Sequence, residues 1–160
     1  MKRALALLLI PICIVTLFSG CSLGQSIKMP FNGEITFHGI QVEIPTDYVR
    51  DSTESNDDFW VFEHGGYKSY ILLKYTQTDD PAGDVEAYAA AMEEEAEIQR
   101  TELLGSEALI LRYTVRDEAT QEILFGYQDA CYSIALRNGT PEEFQTLTTS
   151  VSAARQTAPD

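Results

Sequence analysis

Two histidines, each followed by glycine, are the first side chains in this sequence whose types suggest chemistry. His38 and His64 both precede glycine, which places each imidazole at a junction between a strand and a turn. Each histidine lies at the turn of a predicted β-hairpin. If these two hairpins aligned, the imidazoles would approach each other, and Glu34 or Glu63 would complete a metal site. The alternative is a pair of solvated turn histidines, which we favour because their spacing is not that of metal ligands.

Acidic side chains are so abundant that a general acid/base pair is a second chemical possibility. The chain has 25 Asp and Glu residues against 11 Lys and Arg residues, and its formal net charge is −14. With so many acids, close carboxylate pairs arise by chance, so their number does not identify a catalytic pair. The same charge argues against nucleic-acid binding, which requires clustered Lys and Arg. The sequence contains neither a serine-nucleophile elbow nor a glycine-rich phosphate loop.

Two further sets of residues are candidates for a binding surface. Glu93, Glu94 and Glu95 fall in the C-terminal half of a predicted helix, where the helix dipole disfavours acids. We interpret them as a solvated face, and the alternative is a docking surface for a protein partner with a basic surface. Phe59 and Trp60 point to opposite faces of one predicted strand. We favour core packing, and the alternative is that an exposed one marks a binding site for protein or carbohydrate.

Cysteine usage excludes an internal disulfide in the folded domain. The chain has three cysteines, Cys13, Cys21 and Cys131. Cys13 lies in the N-terminal apolar segment and Cys21 directly follows that segment, which leaves Cys131 alone in a predicted strand. We predict that Cys131 is a buried, inert thiol, the alternative being a nucleophile.

The N-terminal segment has the parts of a bacterial export signal. Two basic residues precede an apolar run over 4–18, which is shorter than the ~20 residues of a membrane-spanning helix. The run ends in Ser19-Gly20-Cys21, and this ending resembles the lipobox of bacterial lipoproteins. The resemblance implies cleavage before Cys21 and attachment of a diacylglyceryl group and a further acyl chain such as palmitate to that residue. The alternatives are an ordinary secretory signal followed by a chance cysteine, and an uncleaved membrane anchor.

The lipobox also defines the domain organisation and the localisation that we expect. The signal peptide is predicted over 1–20, a flexible tether over 21–30, a globular domain over 31–154 and a polar tail over 155–160. Two or more acyl chains give lasting membrane attachment. The expected localisation is therefore the bacterial cell envelope, on the extracytoplasmic side, with the membrane bound through lipid on Cys21. Anionic headgroups repel an acidic domain, so we expect it to stand off the bilayer.

Alternating apolar residues and turn signals predict an α+β domain. Strands are predicted over 35–37, 40–44, 59–63, 67–75, 109–115, 122–127 and 130–136. A helix is predicted over 84–100 after a capping aspartate, and a second helix runs from a capping box at 140–143 to about residue 154. The acidic segment 46–58 is predicted to be a loop. Short connections favour antiparallel pairing, so we predict a single antiparallel β-sheet of about seven strands with a mid-chain helix and a C-terminal helix packed on it.

This element order resembles that of small bacterial lipoproteins with Mog1/PsbP-like or DcrB-like domains. Three short sequence segments are shared: Ile44-Pro45-Thr46-Asp47-Tyr48 at the end of the early hairpin, Gly105-Ser106-Glu107-Ala108 before the later strands, and Thr140-Pro141-Glu142-Glu143-Phe144 at the closing helix. The resemblance covers about residues 31–154 and rests on residues that begin and end strands and helices. It implies an accessory or protein-binding role, and it supplies no catalytic residue.

Two functions follow from these observations. The preferred hypothesis is a lipid-anchored, extracytoplasmic binding or accessory protein with no evident catalytic site and no cofactor. The alternative is a surface hydrolase or metal-binding protein that uses carboxylates and histidine. The alternative requires acids that converge in a real pocket, which only a structure can show.

Overall fold

The computed structural model describes residues 33–154, which form ten strands and two helices. The strands are β1 (Gly33–Phe37), β2 (Ile40–Ile44), β3 (Tyr48–Asp51), β4 (Phe59–His64), β5 (Tyr70–Gln77), β6 (Glu97–Leu103), β7 (Ser106–Val115), β8 (Glu118–Tyr127), β9 (Ala130–Arg137) and β10 (Ser152–Ala153). The helices are α1 (Pro81–Met92) and α2 (Pro141–Ser150). The predicted signal peptide, the tether with Cys21, and the polar tail lie outside the described residues. Within residues 33–154, neither helix has the length and apolarity needed to cross a bilayer.

Seven strands form one antiparallel sheet in the order β3-β4-β5-β9-β8-β7-β6. In its centre Leu73 of β5 pairs with Trp60 of β4 on one side and with Ile134 of β9 on the other. The strands β1, β2 and β10 form a second, three-stranded sheet. The predicted fold class is confirmed: an α+β domain with a seven-stranded antiparallel sheet, a mid-chain helix and a C-terminal helix.

The large sheet is covered on both faces, because alternate residues of each strand point to opposite sides. On one face α1 buries Val85 and Ala89 against Leu109, Leu111 and Leu124 of β7 and β8. On the other face lie α2 and the small sheet, and they enclose the larger core. Its largest fully buried side chains are Phe37, Ile40, Ile44, Tyr48, Phe62, Ile71, Leu73, Phe125, Ile134 and Leu136. The domain is thus a three-layer sandwich.

The start of α1 is fixed by a cap and by a close approach to the sheet. The Asp80 carboxylate accepts a hydrogen bond from the Gly83 backbone N–H at 3.0 Å, so Asp80 is the capping aspartate of this helix. Pro81 occupies the first helical turn. A Cβ atom at Gly126 of β8 would lie 2.8 Å from Pro81 Cβ, so glycine there lets the helix contact the strand closely.

The predicted extension of this helix to residue 100 is wrong. The helix ends at Met92, residues 93–95 form a turn, and β6 runs over Glu97–Leu103 at one edge of the sheet. Most side chains of this edge strand are exposed, so apolar and polar residues do not alternate regularly along it. Its sequence therefore lacks the pattern that predicts a strand. The segment 46–58 likewise contains a short strand, β3, in which only Tyr48 is fully buried.

The closing helix has the predicted capping box. Thr140 Oγ1 accepts from the Glu143 backbone N–H at 3.2 Å, and Glu143 Oε2 accepts from the Thr140 N–H at 2.7 Å. The helix ends at Ser150, and not near residue 154 as predicted, because the chain turns into β10 and pairs with β2.

Candidate functional site

A pocket of about 250 Å³ lies beside α1, between the helix and β5. It is lined by Lys74, Thr76, Asp84, Tyr88, Glu122, Leu124, Cys131, Tyr132 and Ser133. The strands β5, β8 and β9 supply its floor mostly through residues of one sheet face; the Tyr132 side chain belongs to the larger core on the other face. Asp84 and Tyr88, one helical turn apart on α1, supply a wall. The pocket therefore collects a buried sheet surface, several hydroxyl groups and charges of both signs.

Glu122 of β8 is the buried charged group of this pocket, with 5% of its surface exposed. Its Oε2 atom accepts hydrogen bonds from the Tyr113 hydroxyl at 2.7 Å and the Tyr88 hydroxyl at 3.2 Å. Its Oε1 atom accepts from the Ser133 hydroxyl. In residues 33–154 no Lys, Arg or His forms an ion pair with this carboxylate. Glu122 is thus held by neutral donors from α1, β7 and β9.

The two tyrosines are fixed as hydrogen-bond donors. Burial raises the pKa of Tyr113, and the nearby Glu122 carboxylate raises it further. Burial and the same carboxylate also raise the pKa of Tyr88. Both phenols therefore keep their protons at neutral pH, which leaves Glu122 as the acceptor.

Cys131 lies in β9 as predicted, and its thiol is half-buried at the pocket wall. Its Sγ atom donates to the Pro81 carbonyl oxygen at 3.2 Å. Burial raises the pKa of the thiol, and the carboxylates of Asp84 and Asp80 raise it further. A raised pKa keeps the thiol protonated, whereas a nucleophilic cysteine needs the thiolate.

The two histidines belong to separate networks. His38 stacks on Tyr75 with ring centroids 3.9 Å apart, and its Nε2 atom lies 2.8 Å from the Asp57 carbonyl oxygen and 3.3 Å from Asp58 Oδ1. The His64 Nδ1 atom instead accepts the backbone N–H of Gly66 at 2.9 Å. The part of the chain that the structure describes contains no group of three His, Cys, Asp or Glu residues placed to hold a metal ion. The metal site with Glu34 or Glu63 is therefore not formed there.

Beside His64, a second polar cluster joins α2 to the sheet. The buried Tyr48 hydroxyl lies 2.6 Å from Ser69 Oγ and 3.3 Å from Glu143 Oε1. The Tyr67 hydroxyl donates to the same Glu143 oxygen at 3.1 Å. Because Glu143 also caps α2, we interpret this cluster as a structural connection.

The predicted aromatic pair divides between the two faces of β4. Trp60 packs against Phe37 with ring centroids 5.0 Å apart, and the Arg50 guanidinium lies 3.8 Å from its ring centroid. Phe59 is half-buried on the other face, where it pairs with Lys74 and lines a shallow depression with Asp57 and Asp58. Phe59 and Trp60 therefore do not form one surface. Phe59 is the member that lies on the pocket's side of the sheet.

Glu93, Glu94 and Glu95 follow α1 and are all exposed. Glu93 lines a groove of about 500 Å³ between α1 and β6 that also includes Glu86, Ile98 and Arg100. Arg100 is already engaged, because its guanidinium contacts Glu86 at 2.6 and 2.9 Å and also pairs with Glu107. A role of this acidic surface in binding a basic partner stays a prediction.

Comparisons with known proteins show the fold alone. No protein-family model and no curated protein matches the chain. The solution structure of cyanobacterial PsbP (CyanoP) from Synechocystis sp. PCC 6803 is similar, with a TM-score of 0.53 and 11% identity over 86% of this chain and 99% of that one. A crystal structure from Bacteroides thetaiotaomicron VPI-5482 has a TM-score of 0.58 and 8% identity over 80% of this chain. The chain spans about half of that protein, 50%. The resemblance to a PsbP-like domain is confirmed for the fold.

Proposed function

We propose that this chain is a lipid-anchored, extracytoplasmic binding protein whose binding site is the pocket beside α1. The anchor is the acylated Cys21, and the globular domain acts as an accessory module that holds a partner or ligand near the membrane. The observation that carries the binding role is the Glu122 cluster, because it combines a buried charge with an open pocket.

The arrangement of hydrogen bonds supports binding over catalysis. A general base needs a free lone pair within reach of the proton that it removes. Hydroxyl groups of the protein itself instead occupy three of the about four acceptor positions of Glu122, so at most one lone pair is open. The Cys131 thiol in the same pocket has a raised pKa, which keeps it protonated. Fixed polar groups beside apolar floor residues such as Leu124 are typical of ligand sites.

The position of β1, the first described strand, supports a pocket that faces away from the membrane anchor. The described chain begins with β1, which belongs to the small sheet. The small sheet packs on the face of the large sheet opposite α1. A tether that ends at β1 therefore joins the domain on the side away from the pocket.

Site-specific photo-cross-linking in the host tests this proposal. Thr76 is exposed at the rim of the pocket and takes no part in the Glu122 hydrogen bonds, so p-benzoylphenylalanine at this position reports what enters. Gln145, which is exposed on α2 beyond the opposite face of the large sheet, is the matched control. We expect a discrete cross-linked adduct from position 76 and none from position 145. Equal labelling at both positions, or no adduct at position 76, would contradict the proposal.

A further inference from the structure

We propose that the pocket beside α1 binds the side chain of a single arginine from a protein partner. Glu122 is the counter-ion of the guanidinium, which replaces the Tyr88 hydroxyl as a hydrogen-bond donor to this carboxylate. This inference rests on the proposed binding function and specifies the chemistry of the partner.

No Lys, Arg or His of residues 33–154 forms an ion pair with the buried Glu122 carboxylate. Acidic side chains are rarely buried without a cation beside them, and the hydroxyl groups around Glu122 supply no positive charge. An ionised carboxylate offers about four acceptor positions, and three of them are used here, all by uncharged donors. A cation that enters the pocket would provide the missing positive charge.

Tyr88 is the weakest of these donors and the best placed to move. Its hydroxyl lies 3.2 Å from Glu122 Oε2, against 2.7 Å for Tyr113, and 37% of the Tyr88 residue is exposed. A guanidinium that replaced this hydroxyl would find the aromatic ring beside it. Arginine is weakly hydrated, stacks on aromatic rings and binds carboxylates through two N–H groups, so it suits this site better than lysine does.

Two further charges shape the selectivity of the pocket. Asp84, one turn before Tyr88, is exposed and offers a second acceptor on the same wall. Lys74 also lines the pocket, and its positive charge opposes the entry of any cation. A polybasic run is therefore repelled more strongly than an isolated arginine. The net charge of −14 attracts a basic partner at longer range.

Titration of the full chain in detergent micelles with Nα-acetyl-arginine methylamide, followed by ¹⁵N NMR, tests the inference. We expect shifts at Tyr88, Glu122 and Ser133, and no shifts with the citrulline analogue, which has the same shape without the charge. The lysine analogue should bind more weakly than the arginine probe. Glu122→Gln should weaken arginine binding about tenfold or more, because the hydrogen bonds then lose a charged acceptor.

Two variants separate the pocket from the general acidity of the protein. Glu93→Gln removes one exposed acid outside the pocket and should leave the affinity unchanged. Tyr88→Phe removes the competing hydroxyl and should keep or strengthen arginine binding, by up to about tenfold. If Glu122→Gln does not fold, Tyr88→Phe and the citrulline comparison decide the question.

Equal binding of arginine and citrulline probes would overturn the inference, and so would equal losses in the Glu93 and Glu122 variants. If such a result accompanies a specific adduct at position 76, the arginine assignment fails and the proposed binding function stands. If position 76 gives no adduct, the binding function itself fails.

Discussion

At the scale of single residues, Glu122 shows what a sequence can and cannot reveal. It directly precedes the apolar run Ile123–Phe125 in a predicted strand, and a charge on the buried face of a strand is a usable signal. Its partners come from α1, β7 and β9, and no spacing along the chain brings Tyr88, Tyr113 and Ser133 together. The register of the sheet and the placement of α1 create the cluster, so sequence patterns alone did not locate it.

The two tyrosines on Glu122 should contribute differently to stability. Tyr113→Phe should lower the free energy of unfolding by about 1–2 kcal/mol, because its buried hydroxyl donates to a charged acceptor. Tyr88→Phe should cost less than about 1 kcal/mol, because its bond is longer and the residue is partly exposed. Urea denaturation of both variants measures the difference. Equal losses, or a larger loss for Tyr88→Phe, would contradict this description of the cluster.

Cys131 should react slowly with thiol reagents in the folded domain. Because burial and two nearby aspartates raise the pKa of the thiol, the thiolate fraction at pH 8 is lower than in an ordinary cysteine. The rate of alkylation should therefore rise only above the usual cysteine pKa. The denatured chain is the internal control and should react fast. Cys131→Ala should cost about 1 kcal/mol of stability, and fast labelling of the native domain would refute an inert role.

At the scale of elements, the sequence correctly predicts the structures that depend only on residues close together in the chain. The hairpin of β1 and β2 and the capping box of α2 lie where the sequence predicted them. Both are fixed by neighbouring residues. The strands β3 and β6 were missed because they lie at the two edges of the sheet, and their residues take strand conformation through pairing with a neighbour.

The connection of α2 to the sheet through Glu143 should be sensitive to acid. Burial raises the pKa of this carboxyl, but hydrogen bonds from the Thr140 backbone and from Tyr67 and Tyr48 outweigh burial and lower it below the ordinary value. Ionised Glu143 thus stabilises the fold above the ordinary carboxyl pKa. This stabilisation is lost as the pH falls through the lower pKa of the folded state.

Glu143→Gln should therefore cost about 1 kcal/mol at pH 7, and the cost should shrink as the pH falls through the lowered pKa of Glu143 in the folded state. Glu142→Gln is the matched control, since this neighbour has the same charge, lies in the same turn and is exposed. It should change stability little at either pH. Denaturation at a series of pH values provides the measurement. A cost for Glu143→Gln that is constant with pH would rule out the ionised carboxylate as its cause.

At the scale of the whole molecule, the sandwich explains how an acidic chain folds without a disulfide in the described domain. Two apolar cores, one on each face of the sheet, supply the stabilisation, and the acids lie mostly at the surface. The fold class followed from the order of elements and their short connections. The small second sheet did not, because β10 is only two residues long and pairs with a strand more than a hundred residues earlier.

Residues 31–154 should fold alone, and salt should stabilise them. Surface acids repel each other in the compact state, and added salt screens this repulsion, so the Tm should rise with ionic strength. A chelator should leave the transition unchanged. Thermal unfolding with and without EDTA, across a range of NaCl concentrations, gives both answers. Loss of the transition on chelation would instead indicate a bound ion and favour the metal-binding alternative.

The central claim, a binding domain held at the membrane by lipid, is tested most directly by the intact mass of the protein from the membrane fraction of its host. The prediction is a chain that begins at Cys21 and carries the added mass of a diacylglyceryl group and a further acyl chain. Cys21→Ala should lose this mass and leave the membrane fraction, whereas Cys131→Ala should retain both. A membrane-bound native chain with an unmodified Cys21 would contradict the account.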